Sequence, residues 1–283
     1  MDGARDEVIP LFPLGTPLFP GVVLPLQVFE PRYRRLMADL TALPADSDRR
    51  RFGVVAIRQG WEVEQIAPAE ALYDIGCVAR LQMVRPQSDG GFRVVTVGGE
   101  RFRLRDVVVG EDPPYLQCEV EWLADEEAAE EAAGDAEGLV VPGTRSAASG
   151  GGAAASPPCD ENLDEVVAAV ARDSLALLAA GVQELFTDYV VEVADLGAGS
   201  DGEDAERAAL LAAVADDPTA LSWLVASAAL LTTEDRQALL AESATRRRLA
   251  AETRLLRREL TLLRELGAVP APLQRFATPM TVN

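Results

Sequence analysis

The chain has 283 residues, with 26 basic and 46 acidic side chains, a formal net charge of −20 and a hydrophobic content of 48%. It holds no histidine, and every one of the 26 basic residues is arginine. The absence of lysine excludes a phosphate-cradling P-loop, Schiff-base catalysis and a Ser-Lys dyad. The absence of histidine excludes the Ser-His-Asp triad, the Cys-His pair and the commonest zinc ligand.

The charge is unevenly spread: residues 1–123 carry 14 arginines against 18 acids, 124–160 one against 8, and 161–283 eleven against 20. A chain this acidic is repelled by phosphate backbones and anionic lipid, so neither nucleic acid nor membrane is the expected partner. Cys77, Cys118 and Cys159 are odd in number and widely spaced, which fits reduced thiols better than a disulfide framework or a CxxC metal site. With neither a secretory leader nor an unbroken run of apolar residues long enough to span a bilayer, the sequence reads as that of a soluble, cytoplasmic protein.

Residues 8–28, VIPLFPLGTPLFPGVVLPLQV, are apolar and broken by five prolines, which rules out an interior helix and leaves short strands, VIPLF and VVLPLQV. FEPRYRRLMADLTAL follows, with Pro31 at a first helical position and Phe29, Tyr33, Leu36, Met37 and Leu40 spaced for one apolar face. FGVVAI at 52–57 reads as a buried strand and WEVEQI after Gly60 as its hairpin partner. From Tyr73 to Leu123 four strand-length pieces follow, YDIGCVARLQMVRPQ, FRVVTVGG, ERFRLRDVVV and YLQCEVEWL, joined by short turns. The economical architecture for residues 6–123 is an antiparallel, mostly closed β domain.

Composition shifts at Ala124, and residues 124–161, acidic and then rich in Gly, Ala, Ser and Pro, are expected to form a mobile linker. Residues 162–267 are expected to form a helical bundle and 268–283 a Pro-rich tail. LDEVVAAVARDSLALLAA reads as an amphipathic helix stopped by Gly181, ELFTDYVVEVADL as helical or mixed, GAGSDGED as a loop, and DAERAALLAAVADD as a further segment. Asp217-Pro218 opens the next helix, and Thr232, with Asp235 three residues on, caps a long last helix running to Leu266.

Taken in order, IPLFPLGTPLFPGVVLPLQVFEPRYRRLM at 9–37, GVVAI at 53–57, IGCVARLQMV at 75–84, GGFRVVTVGGERFRL at 90–104 and DDPTALSWLVASAALLTTEDRQALLAESATRRRL at 216–249 resemble the N-terminal, substrate-recognition domain of Lon-type proteases. Gln27 stands where that family often has histidine, and the linker is longer and more acidic than the family pattern. The resemblance implies an α+β fold, a PUA-like β pseudo-barrel with a short helix followed by a helical bundle ending in a long helix. It implies a non-catalytic module that binds exposed apolar segments of client proteins, without cofactor or metal, and hands them to a separate protease or chaperone. The ATPase and peptidase parts of a full protease are not expected in this chain. An RNA-binding PUA-like protein is the alternative, and a hydrolase built on carboxylates or serine a third.

Two clusters are candidates for partner contact. Leu18, Phe19 and Val22 lie in the proline-broken opening, where they are either exposed for clients or buried in the barrel. Phe29, Glu30, Arg32 and Tyr33 either present a binding edge, or Phe29 and Tyr33 pack on the barrel while Glu30 and Arg32 fix the strand-to-helix turn. Gly98 to Phe102 is expected to be a strand connection with Phe102 in the core. Arg246, Arg247 and Arg248 are expected on a solvated helix face, paired with Glu242 and Glu252 four residues away. A groove between the two parts is the expected place for client side chains.

Overall fold

The computed structural model describes residues 7–58, 69–110, 112–125, 161–196, 214 and 216–266. The expected strand WEVEQI, the linker between 126 and 160, the loop and most of the segment at 197–213, and the tail after Leu266 lie outside the described residues, as does Cys159.

The strands are β1 (Glu7–Leu14), β2 (Val23–Val28), β3 (Arg51–Ala56), β4 (Ile75–Pro86), β5 (Phe92–Val108) and β6 (Gln117–Leu123). Their order is β2-β5-β4-β3-β1-β6, and β5 pairs again with β6, so five strands close into a barrel with β2 added at one side. β5 makes this possible. Its first half pairs with β2, from Val97↔Val23 to Phe92↔Val28, and its second half with β6, from Arg101↔Leu123 to Val108↔Gln117. The two pieces FRVVTVGG and ERFRLRDVVV are therefore one strand of 17 residues, not two. Gly98 carries the bend: a Cβ there would stand 1.9 Å from the Phe19 carbonyl oxygen, so only glycine lets the entry to β2 cross over β5. The β domain also departs from a purely antiparallel one, because β1 and β3 run parallel, Leu11↔Gly53 to Leu14↔Ala56. α1 lies between β2 and β3 in the chain and supplies part of the connection that a parallel pair requires.

Period-two alternation divides the strands between two cores. Ile9, Leu11, Val55, Val78, Phe102 and Cys118 fill the barrel, whereas Phe12, Phe52, Val54, Cys77 and Ala79 face a second layer. That layer begins with α1 (Pro31–Thr41), whose Tyr33, Leu36, Met37 and Leu40 are buried as the helical spacing predicts. Pro31 opens α1, and no side chain caps it.

The remaining helices are α2 (Glu161–Leu196), α3 (Pro218–Ala228), α4 (Thr233–Ala241) and α5 (Thr245–Leu266). Two expectations are corrected here. Gly181 does not stop a helix: α2 runs through it for 36 residues, since Val182, Phe186 and Tyr189 beyond it continue the face that packs on α3 and α5. Residues Ala169–Ala194 of α2 are long and apolar enough to cross a membrane by length and composition, although Arg172, Asp173, Glu184, Asp188 and Glu192 interrupt the stretch and its Ala179, Val182, Phe186 and Tyr189 lie in the helical core. The long last helix is two helices, broken at Glu242–Ala244, where Glu242 adopts an extended backbone. Both caps read from sequence form: Asp217 accepts from the Thr219 and Ala220 amides at 3.0 Å, and Thr232 from the Asp235 amide at 3.1 Å.

Candidate peptide-binding groove

The helical and β parts are joined by their own side chains rather than separated by an apolar groove. Trp223 and Ala226 of α3 and Leu239 and Leu240 of α4 share one buried cluster with Phe19, Phe52 and Leu36. Arg101 of β5, 2% exposed, reaches across the joint to donate to the carbonyls of Leu240 at 2.8 Å and Glu242 at 3.2 Å, and it pairs with Asp125. Arg248, wholly buried, stacks 3.5 Å above the centre of the Trp223 ring and donates to Ser222 Oγ, Thr245 Oγ1 and the Glu242 carbonyl. Two guanidinium groups thus converge on the Glu242 carbonyl, which accounts for the helix break there. The cleft beside this joint, about 660 Å³, is of mixed character, lined by Arg80, Glu100, Arg101 and Asp125 together with Pro20, Trp122 and Leu123.

This overturns the reading of Arg246–Arg248 as a solvated face. Arg247 does pair with Glu242, at 3.0 Å. Arg246 instead donates to the Ala171 carbonyl and Ser174 Oγ on α2, at 3.1 and 2.6 Å, and Arg248 is core. Glu252 is buried, and among the described residues neither of its carboxylate oxygens has a hydrogen-bond partner. Burial pushes its carboxyl well above the usual range, against the opposing pull of Arg248.

An apolar groove of about 160 Å³ lies instead within the β domain, between the end of β1 and the outer strand β2. Its floor is the Phe12 and Tyr33 rings, stacked with centroids 4.0 Å apart. Pro13 and Leu14 form one wall, Leu26, Gln27 and Val28 the other, and Phe29 and Glu30 the rim. Phe29 is 64% exposed, so its assignment to the buried face of α1 is corrected. It precedes the helix and obeys the strand period: Leu24, Leu26 and Val28 turn inward, so Val23, Pro25, Gln27 and Phe29 turn outward.

Of the six candidate contact residues, Leu18, Phe19 and Tyr33 are buried. Leu18 and Phe19 take the buried alternative because Phe19 packs on Trp223, ring centroids 6.0 Å apart, and under the Arg236 guanidinium. Val22 is half-buried against the same core. Tyr33 shows one side to the groove, and burial raises its hydroxyl to about 12, which Arg32 opposes and Glu30 reinforces, so it stays a neutral phenol. Glu30 accepts from Arg32 Nε at 2.9 Å, and the Arg32 guanidinium lies 4.7 Å over the Tyr33 ring, so this pair fixes the turn from β2 into α1. The structure brings Glu30 and Tyr33 together at the groove with Arg32 behind them, and places Leu18, Phe19 and Val22 elsewhere.

Among the described residues β2 pairs only with β5, through Val22, Leu24, Leu26 and Val28 by the register around the Gly98–Val22 hydrogen bond. Its free edge belongs to Val23, Pro25 and Gln27, and Pro25 removes the central donor. The edge is thereby a poor template for adding another strand.

Comparison with known proteins accords with this architecture. Residues 8–258 match the family model for the ATP-dependent protease La (LON) substrate-binding domain. The chain belongs to this family. It is 25% identical over 258 residues to Lon protease 1 of Herpetosiphon aurantiacus, covering 91% of this chain and 25% of that protein. With Lon protease 2 of Syntrophobacter fumaroxidans it shares 34% identity over 106 residues, 37% of this chain and 12% of that one. The chain thus matches a quarter or less of the length of these two relatives. The N-terminal domain of the Mycobacterium avium complex Lon protease has the same fold, with a TM-score of 0.51, 16% identity, and coverage of 89% and 98% of the two chains. A Lon substrate-binding domain is a recognition domain rather than a catalytic one, and among the described residues no group of three or more His, Cys, Asp or Glu is placed to hold a metal ion.

Proposed function

We propose that this Lon-type recognition module captures exposed apolar segments of client proteins by taking one side chain at a time into the β1/β2/α1 groove. The observation that carries this is the pairing of an exposed aromatic residue, Phe29, with an apolar slot of about 160 Å³ beside it. A cavity of roughly 150 Å³ accepts a benzene-sized group, so the slot suits a leucine or phenylalanine side chain. Phe29 covers that side chain once it is seated, and the joined Glu30 and Arg32 give the rim a polar end. The module does no chemistry on the client. It works in the cytoplasm as an adaptor of protein quality control, passing the segment to a separate protease or chaperone. Against RNA stands the charge of −20 on the whole chain.

The test is fluorescence anisotropy of a labelled, permanently unfolded protein titrated with the full chain and with Phe29→Ser. Loss of a central aromatic anchor is expected to weaken binding at least about tenfold, or about 1.4 kcal/mol. Equal affinity of the two forms rejects the groove as the site, and tight, steeply salt-dependent binding of single-stranded RNA in its place rejects protein recognition.

A further inference from the structure

The outward face of β2 continues onto β5 and β4. The register sets Val23 beside Val97, Pro25 beside Val95, and Val95 beside Met83, so these five side chains form an apolar face on the far side of the sheet from the core. Val23 is 58% exposed and Met83 37%. At the end nearest Phe29 the same register places Gln27 beside Arg93 and Arg93 beside Arg85. Arg85 and Arg93 are exposed cross-strand neighbours of like charge, an arrangement that costs stability in a sheet. Among the described residues neither guanidinium forms an ion pair, although the chain carries 46 acidic side chains. The nearby acids are engaged: Asp89 accepts from the Gly91 amide, and Glu100 pairs with Arg80 and lies within ionic reach of Arg51.

We infer that Arg85 and Arg93 form a carboxylate-binding station, and that the favoured client segment bears an apolar side chain for the groove with aspartate or glutamate beside it. This rests on the reading of Phe29 and its groove as the client site. Arg93 lies one strand from Gln27, and Phe29 two residues beyond Gln27, which sets the two stations about 8 Å apart, the reach of two or three residues of extended chain. Two exposed guanidinium groups draw carboxylates by charge, and the apolar sheet face beyond them accepts the flanking side chains. An unpaired cationic couple in an acidic protein also disfavours self-association through this face and selects an acidic partner.

The experiment compares fluorophore-labelled peptides with one central phenylalanine, flanked by Asp and Glu or by Asn and Gln, binding to the full chain, to Arg85→Gln/Arg93→Gln and to Phe29→Ser. At about 50 mM salt the acidic peptide is expected to bind the full chain about tenfold tighter than the neutral one, and at about 500 mM the difference is expected to shrink. The double variant should bind both peptides alike, with the neutral-peptide affinity unchanged, and its thermal midpoint should not fall, because like-charge repulsion has been removed. Equal binding of both peptides to the full chain overturns the carboxylate station, as does a preference that survives in the double variant. So does a double variant that loses binding to single-stranded RNA or to phosphatidylglycerol vesicles while the peptide preference stays. Insensitivity of the neutral peptide to Phe29→Ser sinks instead the groove reading on which the inference rests.

Discussion

The guanidinium of Arg101, on β5, donates to the backbone carbonyl of Leu240, in the last turn of α4, at 2.8 Å. The bond crosses from the barrel to the helices, and the same side chain holds the Glu242 carbonyl and Asp125. With Gln237 Nε2 donating to the Ile75 carbonyl at 2.8 Å, it fixes α4 against the β domain through buried polar contacts. Arg101→Ala would leave helix-end carbonyls without their donor in a buried interface. We expect a loss of about 3 kcal/mol in urea unfolding, with a change in near-ultraviolet circular dichroism as Trp223 loses its neighbour. A loss below about 0.5 kcal/mol would place the strength of the joint in the apolar contacts alone.

Gly98 and Gly21 make a matched pair of substitutions. A methyl group at Gly98 meets backbone, the Phe19 carbonyl, which cannot move without disrupting the hydrogen bonds that tie Gly98 to Gly21 and Val22. Gly98→Ala is expected to cost about 3 kcal/mol or more. Gly21 has φ +73° and open space around it, so Gly21→Ala should cost only the backbone term, about 1 kcal/mol. Equal losses in chemical denaturation would contradict the close crossing.

Glu252 sets a pH dependence whose sign is opposite to that of a salt-bridged acid. Its folded-state carboxyl titrates above its unfolded value, so the folded chain holds the proton more tightly, and stability falls as pH rises from the unfolded value through the folded one. Glu252→Gln removes that loss. The variant should melt higher than the parent at neutral pH, and the two midpoints should converge below about pH 4. A variant that melts lower at neutral pH would mean that the charged form is the one the core accommodates.

Cys77 and Cys118 are buried, and burial raises both thiols to about 12. Alkylation of the native chain followed by peptide mapping should leave both unmodified, whereas modification in denaturant should reach both. Rapid native labelling of either would contradict its place in the core.

Much of the fold is legible in the sequence where one period governs a stretch. The Tyr33, Leu36, Met37 and Leu40 spacing gives α1, and Asp217-Pro218 and Thr232 mark two helix starts that form as read. The misreadings share a cause, the dominance of tertiary contacts over local signals. Gly181 looks like a stop, yet α2 continues because Val182 and Phe186 are covered by other helices. The break at Glu242 has no glycine or proline to announce it, since its carbonyl is held by Arg101, remote in sequence, and by Arg248 of the following helix. Arg101 and Arg248 look like surface charges because nothing local shows that Trp223 and helix-end carbonyls await them. At the groove, Phe29, Glu30, Arg32 and Tyr33 are legible as a cluster, but the helix period places Phe29 on a buried face where the strand period turns it outward. Leu18 and Phe19 were candidates for exposure because the helices that cover them lie 200 residues away in the chain.

Hydrogen exchange of the full chain with and without saturating unfolded client tests the central claim most directly. Client bound in the groove should slow exchange in peptides covering Phe12–Leu14 and Leu26–Tyr33, and leave the α2, α3 and α5 amides unchanged. Protection confined to those helices, with the β1/β2/α1 amides exchanging as in the free chain, would contradict the account.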